Sequence, residues 1–338
     1  MATLHITNGD SAGDKLRRIV TGPVVITADV LHHGPVPPIE GDAYYETRAR
    51  VLAGDGGEAR VREIRDGLAA SDRAISDAVD RGDDLVLWFE HDLFDQLLLI
   101  RTLDMLLRAR PPSGRRATAS LICIDRFPGV DRFVGLGQLS VDQLATLRGT
   151  ERPVTPAHYA RAADAWYAFR SPGPSALLAI ARRLTAVPTP DPLPPPLWFL
   201  GDALLRFFDE YPSIANGLSR TEQFAIETLS AAALPIDALF SVTQAREPRP
   251  FMGDSTFYDI IGRLASARVP LVTLNAEQPD RHARRRTAAI TAAGRDVLVG
   301  RSDAVALNGI DLWRGGVHLA GRDGSPWRWD AHRQRLVS

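Results

Sequence analysis

The stretch Trp88-Phe89-Glu90-His91-Asp92-Leu93-Phe94-Asp95-Gln96 packs more reactive groups into a short run than any other part of the chain. A histidine beside carboxylates can act as a general base, and the same set can ligate a divalent cation. A helix entered at this point places His91 with Asp95, and Asp92 with Gln96, at i,i+4 on one face. A capping role for Asp92 is the plain structural alternative. The metalloprotease spacing of two histidines around a glutamate is absent, as is every other named metal signature, so no metal set and no cofactor is assigned.

Three further groups have comparable potential. Asn8-Gly9-Asp10-Ser11 follows an alternating run and precedes a helical pattern, so its backbone N–H groups and the Ser11 hydroxyl could meet an anion at a helix start. It has neither a phosphate-loop lysine nor the glycine spacing of dinucleotide sites. Asp29 ends a second β-rich run and is followed by His32-His33-Gly34-Pro35-Val36-Pro37-Pro38, whose prolines stiffen a rim around His33 and Gly34. Asp125 ends a fourth. Cys123 sits among apolar neighbours and reads as a buried, inert thiol.

The elements that must position these residues alternate. Strands are expected near 3–7, 23–28, 84–89 and 117–124, with helices near 12–20, 43–53, 58–79 and 92–108. Leu85, Leu87 and Phe89 fall on one face of the third strand and Val86 and Trp88 on the other, the two-sided apolar pattern of a buried parallel strand. The expected fold is therefore α/β, an N-terminal doubly wound, mostly parallel sheet whose ligand crevice lies beyond the carboxyl ends of the strands. Residues 1–135 form this ligand-pocket domain. Residues 136–215 read as a helical connector containing a proline-rich extended stretch at 187–196. Residues 216–338 read as a winged-helix-like α+β part of three helices and a two-stranded wing, closed by a small β cap around Trp313, Trp327 and Trp329. The wing carries Arg281, Arg284, Arg285 and Arg286, which could grip phosphates, whereas the candidate reading helix at 254–267 contains Asp254 and Asp259 and only Arg263.

Composition sets the outer limits. The 338 residues are 45% hydrophobic and 24% charged, with a net charge of -1 that gives no global field for nucleic acid or membrane. One cysteine excludes an intrachain disulfide and a cysteine-rich metal site. No signal region and no apolar run of spanning length is seen, which points to the cytoplasm and to no membrane partner.

The blocks Leu4-His5-Ile6-Thr7-Asn8-Gly9-Asp10-Ser11, Asp29 with Gly34-Pro35-Val36-Pro37, and 88–96 together resemble the bacterial family called domain of unknown function 1835. The resemblance covers roughly residues 1–130, and 216–222 and 313–319 look like segments of its longer members. It implies that the three N-terminal blocks belong together, His5 included, and it supplies no reaction. Gly9-Asp10-Ser11 also resembles the nucleophile block of GDS-type serine esterases, although the Asp29-Val30-Leu31-His32 pair stands early in the chain rather than near the end of the domain. The leading expectation is a small polar or phosphorylated ligand at the strand ends, with hydrolysis or transfer by His91, Asp92, Asp10, Asp29 and Ser11. Ligand contacts are expected from His5, Asn8, Gly9, His33, Gly34, Glu90, Asp95, Gln96 and Asp125. A ligand-responsive regulator with a C-terminal DNA- or protein-binding module is the alternative from another class.

Overall fold

The computed structural model describes residues 2–109, 117–186, 195–275, 286–321 and 326–338. Arg281, Arg284 and Arg285 of the expected wing, and most of the proline-rich stretch, lie outside the described residues. In chain order the first elements are β1 (Thr3–Asn8), α1 (Asp10–Leu16), β2 (Val24–Thr27), β3 (Gly34–Pro35), α2 (Gly41–Ala53), α3 (Gly57–Arg81), β4 (Asp84–Glu90), α4 (Leu93–Arg108) and β5 (Ala119–Ile124). They continue with a 3-10 turn (Leu136–Gln138), α5 (Val141–Ala145), β6 (Arg152–Pro153), α6 (Pro156–Phe169), α7 (Ser175–Thr185) and α8 (Leu200–Phe208).

The main sheet has the order β2-β1-β4-β5-β6. β1 pairs in parallel with both β2 and β4, β4 pairs in parallel with β5, and only the short β6 at the edge is antiparallel. The chain thus winds outward in one direction from β1 to β2 and in the other from β4 to β5. The loops leaving the carboxyl ends of β1 and β4 therefore run in opposite directions, the arrangement beside which open parallel sheets generally bind ligands. Both faces of β4 are buried, as its two-sided apolar pattern predicts: Leu85, Leu87 and Phe89 are 1% exposed or less, and Trp88 on the other face is 1% exposed. The Trp88 face packs against Ala12 and Leu16 of α1, Leu136 of the 3-10 turn, and Leu139 and Leu144.

The chain divides into two compact units, Met1–Leu204 with Gly315–Val317, and Leu205–Arg314 with His318–Ser338. The division falls at 204/205 rather than at 135 and 215. The reason is packing: α6 lies on α4 and buries Ala162, Ala165, Trp166 and Phe169, so most of the expected connector shares the core of the first unit. A helical pattern alone does not reveal which core a helix joins.

The second unit continues with α9 (Arg220–Ala231), β7 (Leu234–Pro235), α10 (Ile236–Ala245), α11 (Asp254–Ser266), β8 (Val272–Leu274), β9 (Thr287–Ile290), α12 (Ala292–Leu298), α13 (Ala304–Asn308), β10 (Ile310–Gly315), β11 (Val317–Gly321), β12 (Arg328–Asp330) and β13 (Arg335–Val337). Strands β7, β9 and β8 form an antiparallel sheet in that order. Trp329 stacks on Phe208 at a centroid distance of 5.3 Å and donates from Nε1 to Asp209 at 2.8 Å. No helix of the described residues is long and apolar enough to cross a membrane.

The loop after β2 is held by one buried ion pair. Arg48, 0% exposed, meets Asp29 through Nε and Nη2 at 2.8 Å. Its remaining donors go to the carbonyls of Val30, His33 and Pro35 at 2.8 to 2.9 Å, and Tyr44 Oη donates to the second Asp29 oxygen at 2.7 Å. One guanidinium therefore fixes the chain from Asp29 to Pro35. Removing one partner of such a pair strands the other charge in the interior, which costs about 3–5 kcal/mol. Arg48→Met is expected to lower unfolding free energy in urea by about that amount, against less than about 1 kcal/mol for Arg17→Ala, whose partner Asp14 is exposed.

Candidate functional site

Strand β4 ends at Glu90, and α4 opens at Leu93 after two intervening residues, with Asp92 as its N-cap (φ -81°, ψ 171°) accepting from the Asp95 N–H at 3.2 Å. His91 therefore precedes the helix, and its expected i,i+4 relation to Asp95 does not form. The tight join instead turns Asp95 back on the strand, where its Oδ1 accepts from the Glu90 N–H at 2.9 Å and its Oδ2 from the Asn8 side chain at the end of β1. Gln96 ties the same corner from the other side, Nε2 donating to Glu90 O at 2.6 Å.

The result is a group of three carboxyls, Glu90, Asp92 and Asp95, with ligand oxygens all within 4.8 Å of one another. They are 4%, 4% and 0% exposed, and no lysine or arginine pairs with any of them among the described residues. Glu90 is seated by the Leu136 N–H, and Gly135 lies so close that a Cβ there would stand 2.3 Å from Glu90 Oε2, at a backbone φ of +147°. Only glycine fits that cradle.

Burial without a counter-charge dominates the electrostatics. It pushes Asp92 up to about 7, while backbone N–H groups of Asp95 and Phe94 pull the other way. Burial and then the Asp92 charge raise Glu90 well above the usual range, and burial with the charges of Glu90 and Asp92 does the same for Asp95. Burial thus favours the protonated form of each carboxyl, and oxygens at this spacing can share one divalent ion.

The other expected site residues fall into distinct places. Asn8 ends β1 beside the acidic group, Gly9 follows as the N-cap of α1, and Gln96 is buried against the acidic group. Asp125, half-buried after β5, pairs with Arg126 at 3.0 Å and feels the charge of His91. The His91 ring packs against Phe133 and Phe199 at centroid distances of 6.0 and 5.9 Å. Asp10 and Ser11 are exposed in α1, a helix of seven residues. Ser11 Oγ donates to Gly137 O at 3.0 Å, alongside Lys15 Nζ, and makes no bond to a histidine among the described residues. Asp29 is committed to Arg48. His33 contributes its carbonyl to the same guanidinium, and a Cβ on Gly34 would meet Val51 at 2.4 Å, so this loop is built for packing.

His5 stands apart. Its Nδ1 accepts from Trp88 Nε1 at 3.1 Å, and burial followed by the Arg148 charge lowers its pKa. It lines a cleft of ≈ 590 Å³ with Thr3, Asp84 and Thr118, residues that begin or precede strands. At about 3.3 Å per residue it sits about 10 Å from the end of β1.

Sequence reasoning did not single out Arg48, Tyr44, Gly135 or Leu136. The glycines flanking Leu136 were a usable signal, because paired glycines in a loop often mark close backbone approach. No protein-family model matches the chain, and no curated protein is significantly similar to it, so the reading of the site stands on the chemistry of its own residues.

A carboxyl whose folded pKa exceeds its unfolded value binds its proton more tightly when folded. Its stabilising contribution is then complete below the unfolded pKa, near 3.9 for Asp, and is lost as pH rises through the folded value. For Asp92 that window runs from about 4 to about 7. Asp92→Asn keeps a good N-cap and removes the titration. Urea midpoints measured across this window should fall less with rising pH in Asp92→Asn than in the parent, and parallel profiles would contradict the shift.

Proposed function

We propose that the first unit is a doubly wound α/β domain that binds a small polar ligand in the crevice beyond β1 and β4, and that Asp92 serves as acid–base group in a hydrolysis or group-transfer reaction there. The observation that supports this most is the uncompensated Glu90–Asp92–Asp95 group at the point where the strand order reverses. A carboxyl titrating near neutrality can both give and take a proton at working pH. Purely structural buried carboxylates are ordinarily paired with a cation, as Asp29 is with Arg48.

The same charge pattern narrows the ligand. Hydroxyl or amino groups would donate to these oxygens, whereas a bare phosphate would be repelled. A phosphorylated ligand would need to arrive with a divalent cation, for which carboxylate oxygens are suitable ligands. The GDS-type esterase reading draws no support from Ser11, whose hydroxyl is spent on a main-chain carbonyl.

The test is a thermal-shift screen of sugars and of sugar phosphates and nucleotides with magnesium, followed by turnover assays on each hit. A ligand at a hundred times its Kd adds about 2.7 kcal/mol, so a rise of about 5 °C or more is expected for the right class. The rise and the turnover should be absent in Asp92→Asn. Hits that shift parent and variant alike, or no hit at all, would defeat the reading.

For the second unit we infer a winged-helix-like module that contacts protein. Support comes from the succession α9, β7, α10, α11, β8, β9 and the strand order β7-β9-β8. Helix α11, which would read DNA in such a fold, carries Asp254 and Asp259 and only one arginine, Arg263, itself bound to Glu222 at 2.6 Å. That charge pattern disfavours approach to a polyanion. The full chain is expected to show no retention on duplex DNA at low salt; retention that falls steeply with added salt would overturn the protein-contact reading.

A further inference from the structure

Arg314, near the end of β10, is 6% exposed, yet its guanidinium reaches only main-chain carbonyls. Nε donates to Glu210 O at 2.9 Å and Nη1 to Trp313 O at 3.2 Å. Among the described residues it forms no ion pair. Buried guanidinium groups are ordinarily matched by carboxylates. Arg206 in the same unit shows the ordinary solution, meeting Glu210 at 2.8 Å and Glu247 at 2.7 Å.

Arg314 lines a cleft of ≈ 480 Å³ lying wholly in the second unit, between the start of α9, the end of α11 and β10. That volume suits a small molecule. Arg263 lines it too. Its side chain is 35% exposed, and apart from the bond to Glu222 its N–H groups have no partner among the described residues. Burial lowers the Arg314 pKa, and the charge of Arg263 adds to that effect against the pull of Glu210 and Glu222. A buried guanidinium and a half-exposed one lining the same cleft would both be stabilised by an anion that enters it.

The carboxylates that also line the cleft are already engaged. Glu210 accepts from Arg206 Nη1 and, at 2.5 Å, from Thr221 Oγ1. Glu222 accepts from Arg263 and, at 2.8 Å, from the Ser219 N–H in a reciprocal cap. Asp311 is exposed and meets His318 at 2.7 Å. None of them satisfies Arg314. Close by, Tyr211 is 1% exposed, its hydroxyl makes no hydrogen bond among the described residues, and the charge of Arg314 acts on it.

We propose that this cleft is a binding site for a small molecule bearing an oxyanion, its carboxylate or phosphate group held between Arg314 and Arg263. The planar fork of a guanidinium matches both groups through two parallel hydrogen bonds. The site is separate from the strand-end group of the first unit and does not depend on the reading given to it.

Isothermal titration of the full chain with inorganic phosphate and, separately, with succinate at constant ionic strength tests the proposal and tells the two anion sources apart. Saturable binding of at least one probe is expected, weakened about tenfold or more in Arg263→Gln and in Arg314→Lys, the second because an ammonium keeps the charge and loses the fork. Should Arg314→Lys fail to fold, Arg263→Gln decides alone, since its half-exposed side chain tolerates truncation. Absence of binding for both probes into the millimolar range, or binding unaltered in Arg263→Gln, would overturn it.

Discussion

Three carboxyls cannot all be ionised inside a protein when no cationic side chain meets them. Desolvation of each charge costs several kcal/mol, and each ionised neighbour makes the next ionisation harder. Glu90, Asp92 and Asp95 are placed under that constraint by a two-residue join between β4 and α4, and neighbouring elements of the first unit hold them there. Asn8 reaches across from the neighbouring strand, the Glu90 N–H reaches back, and the turn at Leu136 brings one more N–H to the Glu90 carboxylate. Gly135 admits that turn only because it lacks a Cβ. Position in the sheet adds the rest, since β1 and β4 are the neighbours from which the chain winds in opposite directions.

The loop after β2 shows the opposite treatment of a buried acid. Asp29 has a guanidinium and a phenol on its two oxygens, and the guanidinium spends its remaining donors on three carbonyls of the same loop. Every polar atom of Arg48 has a use in holding the chain. Nothing in that arrangement invites a ligand, whereas the acidic group at the end of β4 has no cationic side chain among the described residues in the place that Arg48 takes beside Asp29. The same unit thus contains a buried acid paired with a guanidinium and three that are met by main-chain and amide N–H groups but by no cationic side chain among the described residues.

What could be read from the sequence follows from how local each signal is. The two-sided apolar pattern of 84–89, the turn residues after Asn8 and the Asp92 cap are properties of neighbouring residues, and β4, α1 and α4 form near where those patterns place them. Glu90, Asp92, Asp95 and Asn8 were legible as candidates because strand ends converge in a parallel sheet. The role of Asp29 was not, because its partner lies 19 residues on, in a helix whose pattern gives no hint that Arg48 faces inward. His5 was drawn into the set by the block that contains it, yet it lies about 10 Å short of the end of β1, where it accepts from Trp88. The outer limit of the first unit was hidden for a similar reason, since α6 declares itself helical in sequence but not that it packs on α4.

The second unit repeats the contrast with the sign reversed. Arg206 is a buried cation with two carboxylates, and Arg314 is a buried cation with carbonyls alone. Carbonyl dipoles satisfy the N–H groups of the Arg314 guanidinium without forming an ion pair, so its charge is opposed by Glu210 and Glu222 only at longer range, and a charge in a low-dielectric wall acts more strongly on whatever enters the space beside it. Evolution can remove such a cost easily, by an apolar replacement of similar volume, which is often neutral or stabilising. A charge buried beside a cleft is therefore better explained by something that enters the cleft than by stability. In both units the residues with chemical potential are buried ionisable groups that form no ion pair among the described residues.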